Sequence, residues 1–341
     1  MAKHNILLCS DLGDTQSWGI SAIGNAEGFL KNDQNLSIWL KAHYGKAPKH
    51  ITDLIGRVYK FDVVINQGLP TQTLFLNKVH GDILKVTLNC WDSSLISKET
   101  ASELNEVSDA SICLSKFTEK AFRDGGVTNP IHVGGQGVDL NLFRPVYKPT
   151  GDKFRFLFTG VAQGRKGTDE LRYVFEDTLG DRDDCELIIK STGWGKLPKE
   201  SKCKNVKLIH SEYTREQLAN LYRECDCFVC PTHGDSFMLP GLEAMATGLP
   251  LIITEFGGPT EYINSRTGYP LKYKEVECGY LPGYQAEPDK NHLAETLKYV
   301  LEHQDEAKEK GRYGAQWAKE YWSWEADARR TVEFFDKTIQ R

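Results

Sequence analysis

The sequence predicts an α/β protein of two doubly wound, Rossmann-like domains facing a cleft. Three observations lead there. The chain has 341 residues, and at roughly 150 residues per domain that is about two domains. Short β-rich runs alternate with helical patterns from end to end, as parallel sheets with helices on both faces require. The alternation also falls into two series, separated by Pro145, Pro149 and Gly151, residue types that interrupt secondary structure.

In the first series, residues 5–9, 36–40, 62–66, 83–88, 110–114 and 131–134 read as buried strands. Between them, Ile51, Leu54, Ile55 and Val58 keep helical spacing. The second series starts at 154–159 and continues with 185–190, 206–209, 226–230 and 251–254. Thr214 and Gln217 form a capping-box pattern ahead of Leu218 and Leu221. The linker is placed near 145–152, which gives a first domain over 1–148 and a second over 149–320.

Composition narrows the function classes. Apolar residues are 40% and charged residues 26%, which excludes collagen, coiled coil and disorder. No apolar run approaches the roughly 20 residues of a spanning helix, and the stretch from Ile6 to Cys9 is too short for a signal peptide. Nine scattered cysteines then read as reduced thiols in a cytoplasm. The net charge of −5 argues against a dedicated nucleic-acid binder. One window is basic: within 41–60, Lys41, Lys46, Lys49, Arg57 and Lys60 stand against Asp53 alone, with Tyr44 and Tyr59 among them. It is either a solvated face or a docking surface for an anionic acceptor or a membrane surface.

Open parallel sheets bind ligands outside the carboxyl ends of their strands. In the second domain those loops are 160–167, 191–196, 211–213, 231–240 and 255–261. The first reads Gly160-Val-Ala-Gln-Gly-Arg165-Lys166-Gly167, and Thr168 can open a helix. Glycines let a backbone approach a phosphate, and a helix N-terminus adds positive potential. Alone, this loop is equally a basic surface turn. The loop after 226–230 contains His233, Asp235 and Pro240, and Pro240 suits a first helical turn. Asp235 then lies in the loop and Glu243 about one turn inside the helix. A diphosphate could rest on the free N–H groups there while a carboxylate grips vicinal sugar hydroxyls. Either carboxylate alone would pass as a helix-dipole partner.

The stretch from Tyr222 to Gly248, followed by Phe256-Gly-Gly-Pro-Thr-Glu261, resembles the donor-binding half of the family 4 glycosyltransferases, which have the GT-B fold. The family pattern is an acidic residue, seven positions, a glutamate and Ala-Met-Ala, then Gly-Gly and a glutamate. Here these are Asp235, Glu243, Gly257, Gly258 and Glu261. The loop from Gly160 to Lys166 matches the family's spacing, with Lys166 on its diphosphate-binding lysine. Gly137-Val-Asp139 with Phe143 and Pro145 resembles the segment leading to the hinge. Ser323-Trp324-Glu325 resembles the start of the last helix, over 321–341, which in the family crosses back to the first domain. The resemblance is specific over about 110–340 and diffuse before that.

The resemblance implies the roles. Lys166 and Arg165 would neutralise the leaving diphosphate, and Glu243 would bind the nucleotide ribose. Asp235 would sit beside the transferred sugar, with the amides around Ser236, Phe237, Met238 and Leu239 on its hydroxyls. Ser211 and Tyr213 would border the base. Gly257 and Gly258 would let the backbone approach the donor. In the first domain the stretch from Gly13 to Gly19 takes the place of a Gly-rich loop that faces the donor phosphates. Three residues depart from the pattern. Asp235 replaces the usual Glu, Val161 stands where Arg is common, and Asn89 stands where a His often follows the strand.

Three further patterns are discounted. Asp181-Arg182-Asp183 matches a metal-binding Asp-x-Asp, but it precedes a strand and so lies at the wrong edge. Cys225, Cys227, Cys230 and His233 imitate a zinc spacing but read as a buried strand. Gly134-Gly135-Gln136-Gly137 lacks the strand–helix context of a dinucleotide fingerprint. The reading is therefore a metal-independent transferase without a cofactor. It moves a hexosyl group from a nucleotide diphosphate sugar to an acceptor hydroxyl, with retention. The rivals are a catalytically silent sugar-nucleotide or glycan binder on the same fold, and a transferase acting on a nucleic-acid base.

Overall fold

The computed structural model describes residues 1–146, 151–162, 164–192 and 201–339. They fall into two compact units. The first comprises Met1–Asp139, Cys278–Tyr284 and the chain from Tyr321 onward; the second comprises Leu140–Glu277 and Gln285–Glu320. The border lies at Asp139/Leu140, ahead of the 145–152 linker, of which 147–150 lie outside the described residues. Neither span of the sequence-based division anticipated that 278–284 joins the first unit.

The first unit holds β1 (Asn5–Leu12), α1 (Ser17–Lys31), β2 (Asn35–His43), α2 (Lys49–Thr52), β3 (Val63–Gly68), β4 (Leu84–Asn89), α3 (Lys98–Val107), β5 (Ala110–Cys113), α4 (Lys116–Gly125) and β6 (Ile131–Val133). Its six strands form one parallel sheet in the order β2-β1-β3-β4-β5-β6. All six residues of β3 and all four of β5 are buried, the signature of a sheet covered on both faces. Ser97 and Ser115 cap α3 and α4 by accepting from the amides of Thr100 and Thr118.

The helix expected from Ile51, Leu54, Ile55 and Val58 shrinks to the single turn α2. Edge strand β2 has an unpaired side, and this segment satisfies part of it. Ile38 donates to Leu54 O at 3.0 Å, and Gly56 donates to Ile38 O at 3.1 Å. Gly56 takes φ +70° to make that turn. Ile51 and Leu54 are buried, whereas Val58 is 90% exposed. The basic window is largely tied up locally. Lys41 Nζ donates to Asn66 Oδ1 at 2.5 Å and to Gln67 O at 2.8 Å. Lys49 pairs with Asp53 at 2.8 Å, and Arg57 Nε donates to Asp53 O at 2.8 Å. Lys46 and Lys60 are exposed.

The second unit holds β7 (Phe154–Gly160), α5 (Thr168–Leu179), β8 (Cys185–Ser191), β9 (Val206–His210), α6 (Arg215–Glu224), β10 (Cys227–Cys230), α7 (Leu239–Thr247), β11 (Leu251–Thr254) and β12 (Gly268–Leu271). The sheet order is β12-β11-β10-β7-β8-β9, again parallel. Thr214 and Gln217 complete the expected capping box on α6. β12 was not anticipated: Gly268 and Pro270 disguise a strand, and Pro is tolerated there because β12 is an edge. The two-stranded sheet of β13 (Tyr273–Glu277) and β14 (Tyr284–Pro288) follows, then α8 (Lys290–Glu302) and α9 (Gln304–Tyr321). Among the described residues no helix is long and apolar enough to cross a membrane.

The last helix, α10 (Trp324–Ile339), belongs to the first unit and packs on α1. Two glycines of α1 admit it. A Cβ on Gly24 would lie 2.1 Å from the Trp324 indole, and one on Gly28 would lie 2.4 Å from Trp324 O. Ala is a better helix former than Gly by about 1 kcal/mol, but overpacking against backbone costs about 1–3 kcal/mol. Gly28→Ala is therefore expected to lower the denaturant midpoint of the folded chain. A raised midpoint would show that α10 gives way freely.

Candidate active site

The carboxyl-edge loops of the second sheet are joined to one another by backbone contacts. The β7 loop turns at Gly160, makes one 3-10 turn over Gly164–Lys166 and enters α5 at Gly167; its Gln163 lies outside the described residues. Gly167 is needed twice: its φ is +66°, and a Cβ would lie 2.0 Å from Pro231 O. The loop after β10 is thereby held against it. His233 N donates to Arg165 O at 2.8 Å, and Thr232 Oγ1 donates to the same oxygen at 3.2 Å.

These contacts bring Arg165, Lys166 and Asp235 together. Lys166 Nζ bonds directly to Asp235 Oδ2, and Arg165 Nη1 lies 3.3 Å from the same oxygen while also donating to Gly234 O. Burial alone would push the Asp235 carboxyl up. The Lys166 ammonium and the Arg165 guanidinium outweigh it and hold that carboxyl at about 2. Asp235 Oδ1 also accepts from Phe237 N at 3.2 Å. A carboxyl depressed in the folded state stabilises above its unfolded pKa, and that contribution is lost as pH falls through about 2. The Asp235 carboxyl is thus ionised at neutral pH.

Ser236, Phe237, Met238 and Leu239 are all buried and lead into α7. Met238 takes a left-handed φ of 68°, a conformation that costs a non-glycine residue about 1–3 kcal/mol. Tyr262 secures it, donating within reach of Met238 O at 2.8 Å and Phe237 O at 3.1 Å. Gly257 and Gly258 are packed against backbone. A Cβ on Gly257 would meet Asp235 O at 2.7 Å, and one on Gly258 would meet Ser236 O at 1.9 Å. The space their missing side chains leave is filled by the Asp235–Ser236 backbone, and Gly258 N donates to Asp235 O at 2.6 Å. Glu261 closes the 3-10 turn that follows.

Glu243 lies one turn inside α7 and is 3% exposed. Its Oε1 accepts from Arg215 Nη2 at 2.6 Å, and its Oε2 lies 3.3 Å from Tyr222 Oη. That hydroxyl also lies 2.6 Å from Thr159 Oγ1 and 3.1 Å from Pro240 O. Arg215 and Tyr222 escaped the sequence reading. Arg215 could have been found, because the capping box at Thr214 places it at the start of α6. Tyr222 carried no signal beyond its apolar spacing. Ser211 is exposed and Tyr213 half-buried after β9; of the 191–196 loop, residues 193–196 lie outside the described residues.

Asn89 and Gly19 belong to the first unit. Asn89 ends β4, fully buried; its Nδ2 donates to Gly68 O at 3.1 Å, and its Oδ1 has no hydrogen-bond partner among the described residues. Gly19 lies inside α1, where a Cβ would meet Gly13 O at 2.4 Å, so packing accounts for it. The discounted patterns fall where expected. Asp181-Arg182-Asp183 precedes β8, and Arg182 forks onto Asp184 at 2.8 and 2.6 Å. Cys227 and Cys230 are buried in β10, and His233 turns to Glu170 at 3.2 Å. Gly134 to Gly137 follow β6 as an irregular segment.

The Arg215–Glu243 pair generates a prediction. Removing one partner of a buried pair leaves an uncompensated charge, at a cost of about 3 kcal/mol. Arg215→Met should lower unfolding free energy by about that amount. Adding Glu243→Gln should restore a large part of it in a double-mutant cycle. Additive losses would mean that the pair is not coupled.

The comparisons with known proteins agree with this geometry. The family described as "Glycosyl transferases group 1" matches residues 141–317, just over half of the chain. A D-inositol 3-phosphate glycosyltransferase of Arthrobacter sp. is 31% identical over 156 residues, 40% of this chain and 37% of its own length. An MMP alpha-(1->4)-mannosyltransferase of Mycolicibacterium hassiacum is 27% identical over 218 residues, 62% of this chain and 49% of its own. The chain thus spans half or less of the length of these two relatives. Among solved structures, sucrose-phosphate synthase from Thermosynechococcus elongatus superposes with a TM-score of 0.73 over 99% of this chain and 100% of its own, at 16% identity. HepE of Anabaena in complex with UDP-glucose gives 0.70 over 98% and 100%, at 14% identity. At such identities the likeness speaks for the fold, which is GT-B. With the family match spanning both carboxylates and the basic loop, this chain belongs to the group 1 glycosyl transferases.

Proposed function

We propose that this protein moves a hexosyl group from a nucleotide diphosphate sugar to an acceptor hydroxyl, with retention of anomeric configuration. The observation that carries the reading is the Arg165–Lys166–Asp235 cluster at the start of α7, with Glu243 one turn further on. Relatives named as mannosyl- and inositol phosphate glycosyltransferases support it, as does a neighbour that holds UDP-glucose.

The chemistry is departure of a diphosphate from an anomeric carbon. Negative charge grows on the leaving group as the bond breaks, and the anomeric centre becomes oxocarbenium-like. Lys166 and Arg165 supply cations for the leaving group, and the amides at the start of α7 add their dipole. Their pairing with Asp235 fixes both side chains before the donor arrives, so little reorganisation is left for the reaction itself. Asp235 is then placed to face the sugar. Glu243 has about four lone-pair directions and spends two on Arg215 and Tyr222, which leaves capacity for two ribose hydroxyls. Protein cations take the part a metal ion would otherwise play. The acceptor side falls to the first unit, with Asn89 in the family's histidine position and 41–60 as a surface for an anionic acceptor.

The decisive measurement is donor hydrolysis and transfer with a panel of nucleotide sugars. Lys166→Ala should lower kcat by roughly two to three orders of magnitude with a much smaller change in donor KM, and activity should survive excess EDTA. Near-wild-type kcat in the Lys166→Ala, Arg165→Ala double variant would place the leaving group elsewhere. Tight nucleotide binding with no sugar released by the wild type would leave the silent binder as the reading. The acceptor surface is tested separately. Lys46→Glu with Lys60→Glu should raise the acceptor KM and leave donor affinity unchanged, and added salt should imitate the effect. Unchanged KM would return the window to a solvated face.

A further inference from the structure

Beside the Asp235 cluster the second unit carries a buried cation of a different kind. Lys190 lies near the carboxyl end of β8 and is 3% exposed. Its ammonium has three donors and no acceptor capacity. Among the described residues nothing accepts a hydrogen bond from it; Nζ lies over the Tyr213 ring, 5.1 Å from the centroid. Burial lowers its pKa, and the charge of Glu212 works against that. The side chain is buried, yet Nζ itself is not fully enclosed, so a ligand can reach it, and one that brings an acceptor to this point makes a charge-assisted bond that the protein leaves unmade.

The strand register says which part of a ligand that would be. Lys190 pairs with Thr159 of β7 on one side and with Ile209 of β9 on the other, and paired residues of parallel strands share a face. Thr159 Oγ1 reaches Tyr222 Oη, and Tyr222 reaches Glu243. Lys190 is therefore one strand, about 4.8 Å, outward from Thr159, whose hydrogen-bond chain through Tyr222 ends on Glu243, the residue proposed to hold the ribose. Tyr213 follows β9, one strand further. A nucleotide with its diphosphate at the β7 and β10 loops and its ribose on Glu243 projects its base toward β8 and β9.

We propose that Lys190, steadied by Tyr213, selects the donor's nucleobase, favouring uracil and guanine, which carry a carbonyl at C4 and C6 respectively, over cytosine and adenine, which carry an NH2 group at the same position. This rests on the donor reading given above. Uracil and guanine present an exocyclic oxygen where cytosine and adenine present an NH2 group. The oxygen accepts from the ammonium, and a charge-assisted bond of this kind is the strong sort. The NH2 group sets donor against donor and leaves the ammonium unsatisfied. Discrimination by hydrogen bonding exceeds what shape alone achieves for that reason.

The test is calorimetric titration of the full chain with UDP, CDP, GDP and ADP. Comparing UDP with CDP and GDP with ADP holds ring size fixed. In the ring size that binds, the carbonyl base should bind at least tenfold tighter than its amino partner. Lys190→Met should bring the pair within threefold, by loss at the carbonyl member. If that variant does not fold, Lys190→Gln serves, because its amide offers both donor and acceptor and should also bring the pair within threefold. A wild-type pair already within threefold overturns the inference and leaves the donor reading intact. So does an equal loss for both members in the variant, which would assign Lys190 to the sugar or phosphate. Absence of binding by all four diphosphates would remove the donor reading as well.

Discussion

Much of the candidate site depends on one charge interaction, the Asp235 carboxylate held between Lys166 and Arg165. It joins the β7 loop to the β10 loop, and both to the start of α7. The three groups sum to one formal positive charge, and the helix N-terminus adds roughly half a charge more. The cluster is therefore compensated without being neutral. Under the proposed function that is a useful condition for receiving a diphosphate. Unpaired, two adjacent half-buried cations would repel each other; fully neutralised, they would offer a ligand little. The surrounding backbone has few alternatives. Gly167, Gly257 and Gly258 are each pressed against another loop at distances where no side chain fits, and Tyr262 fixes the left-handed turn at Met238.

A second, neutral pair lies deeper. Glu243 and Arg215 compensate each other, and Tyr222 links them to Thr159 on the central strand β7. The arrangement separates two electrostatic tasks along one helix. The first turn of α7 faces net positive charge, and the next turn offers an oriented carboxylate with hydrogen-bonding capacity left over. A ligand that is anionic at one end and rich in hydroxyls next to it matches that order.

Much of this was legible in the sequence because it depends on local chemistry. All eleven expected strands exist, since buried parallel strands are written as short continuous apolar runs. Thr214, Gln217 and Pro240 mark helix starts that the structure has. The readings that went astray needed information about distant partners. Ile51, Leu54, Ile55 and Val58 have helical spacing, but the free edge of β2 competes for the same backbone. β12 hides behind Gly268 and Pro270. Arg215 and Lys190 acquire meaning only once the sheet order places them beside Glu243 and Thr159.

The placement of α10 imposes an order on the protein's birth. Gly24 and Gly28 leave a groove along α1 that Trp324 and its helix fill. Synthesis proceeds from the amino end, so the segment ending at Asp139 leaves the ribosome long before its covering helix exists. At about 5–20 residues per second, the intervening chain takes roughly 10–40 s to appear. For that interval the first unit stands with one face of α1 bare, while the second unit has all its strands in hand as soon as β14 emerges. The unit that begins first in the sequence is thus the one that finishes last, and until it does, that face of α1 stays open to water.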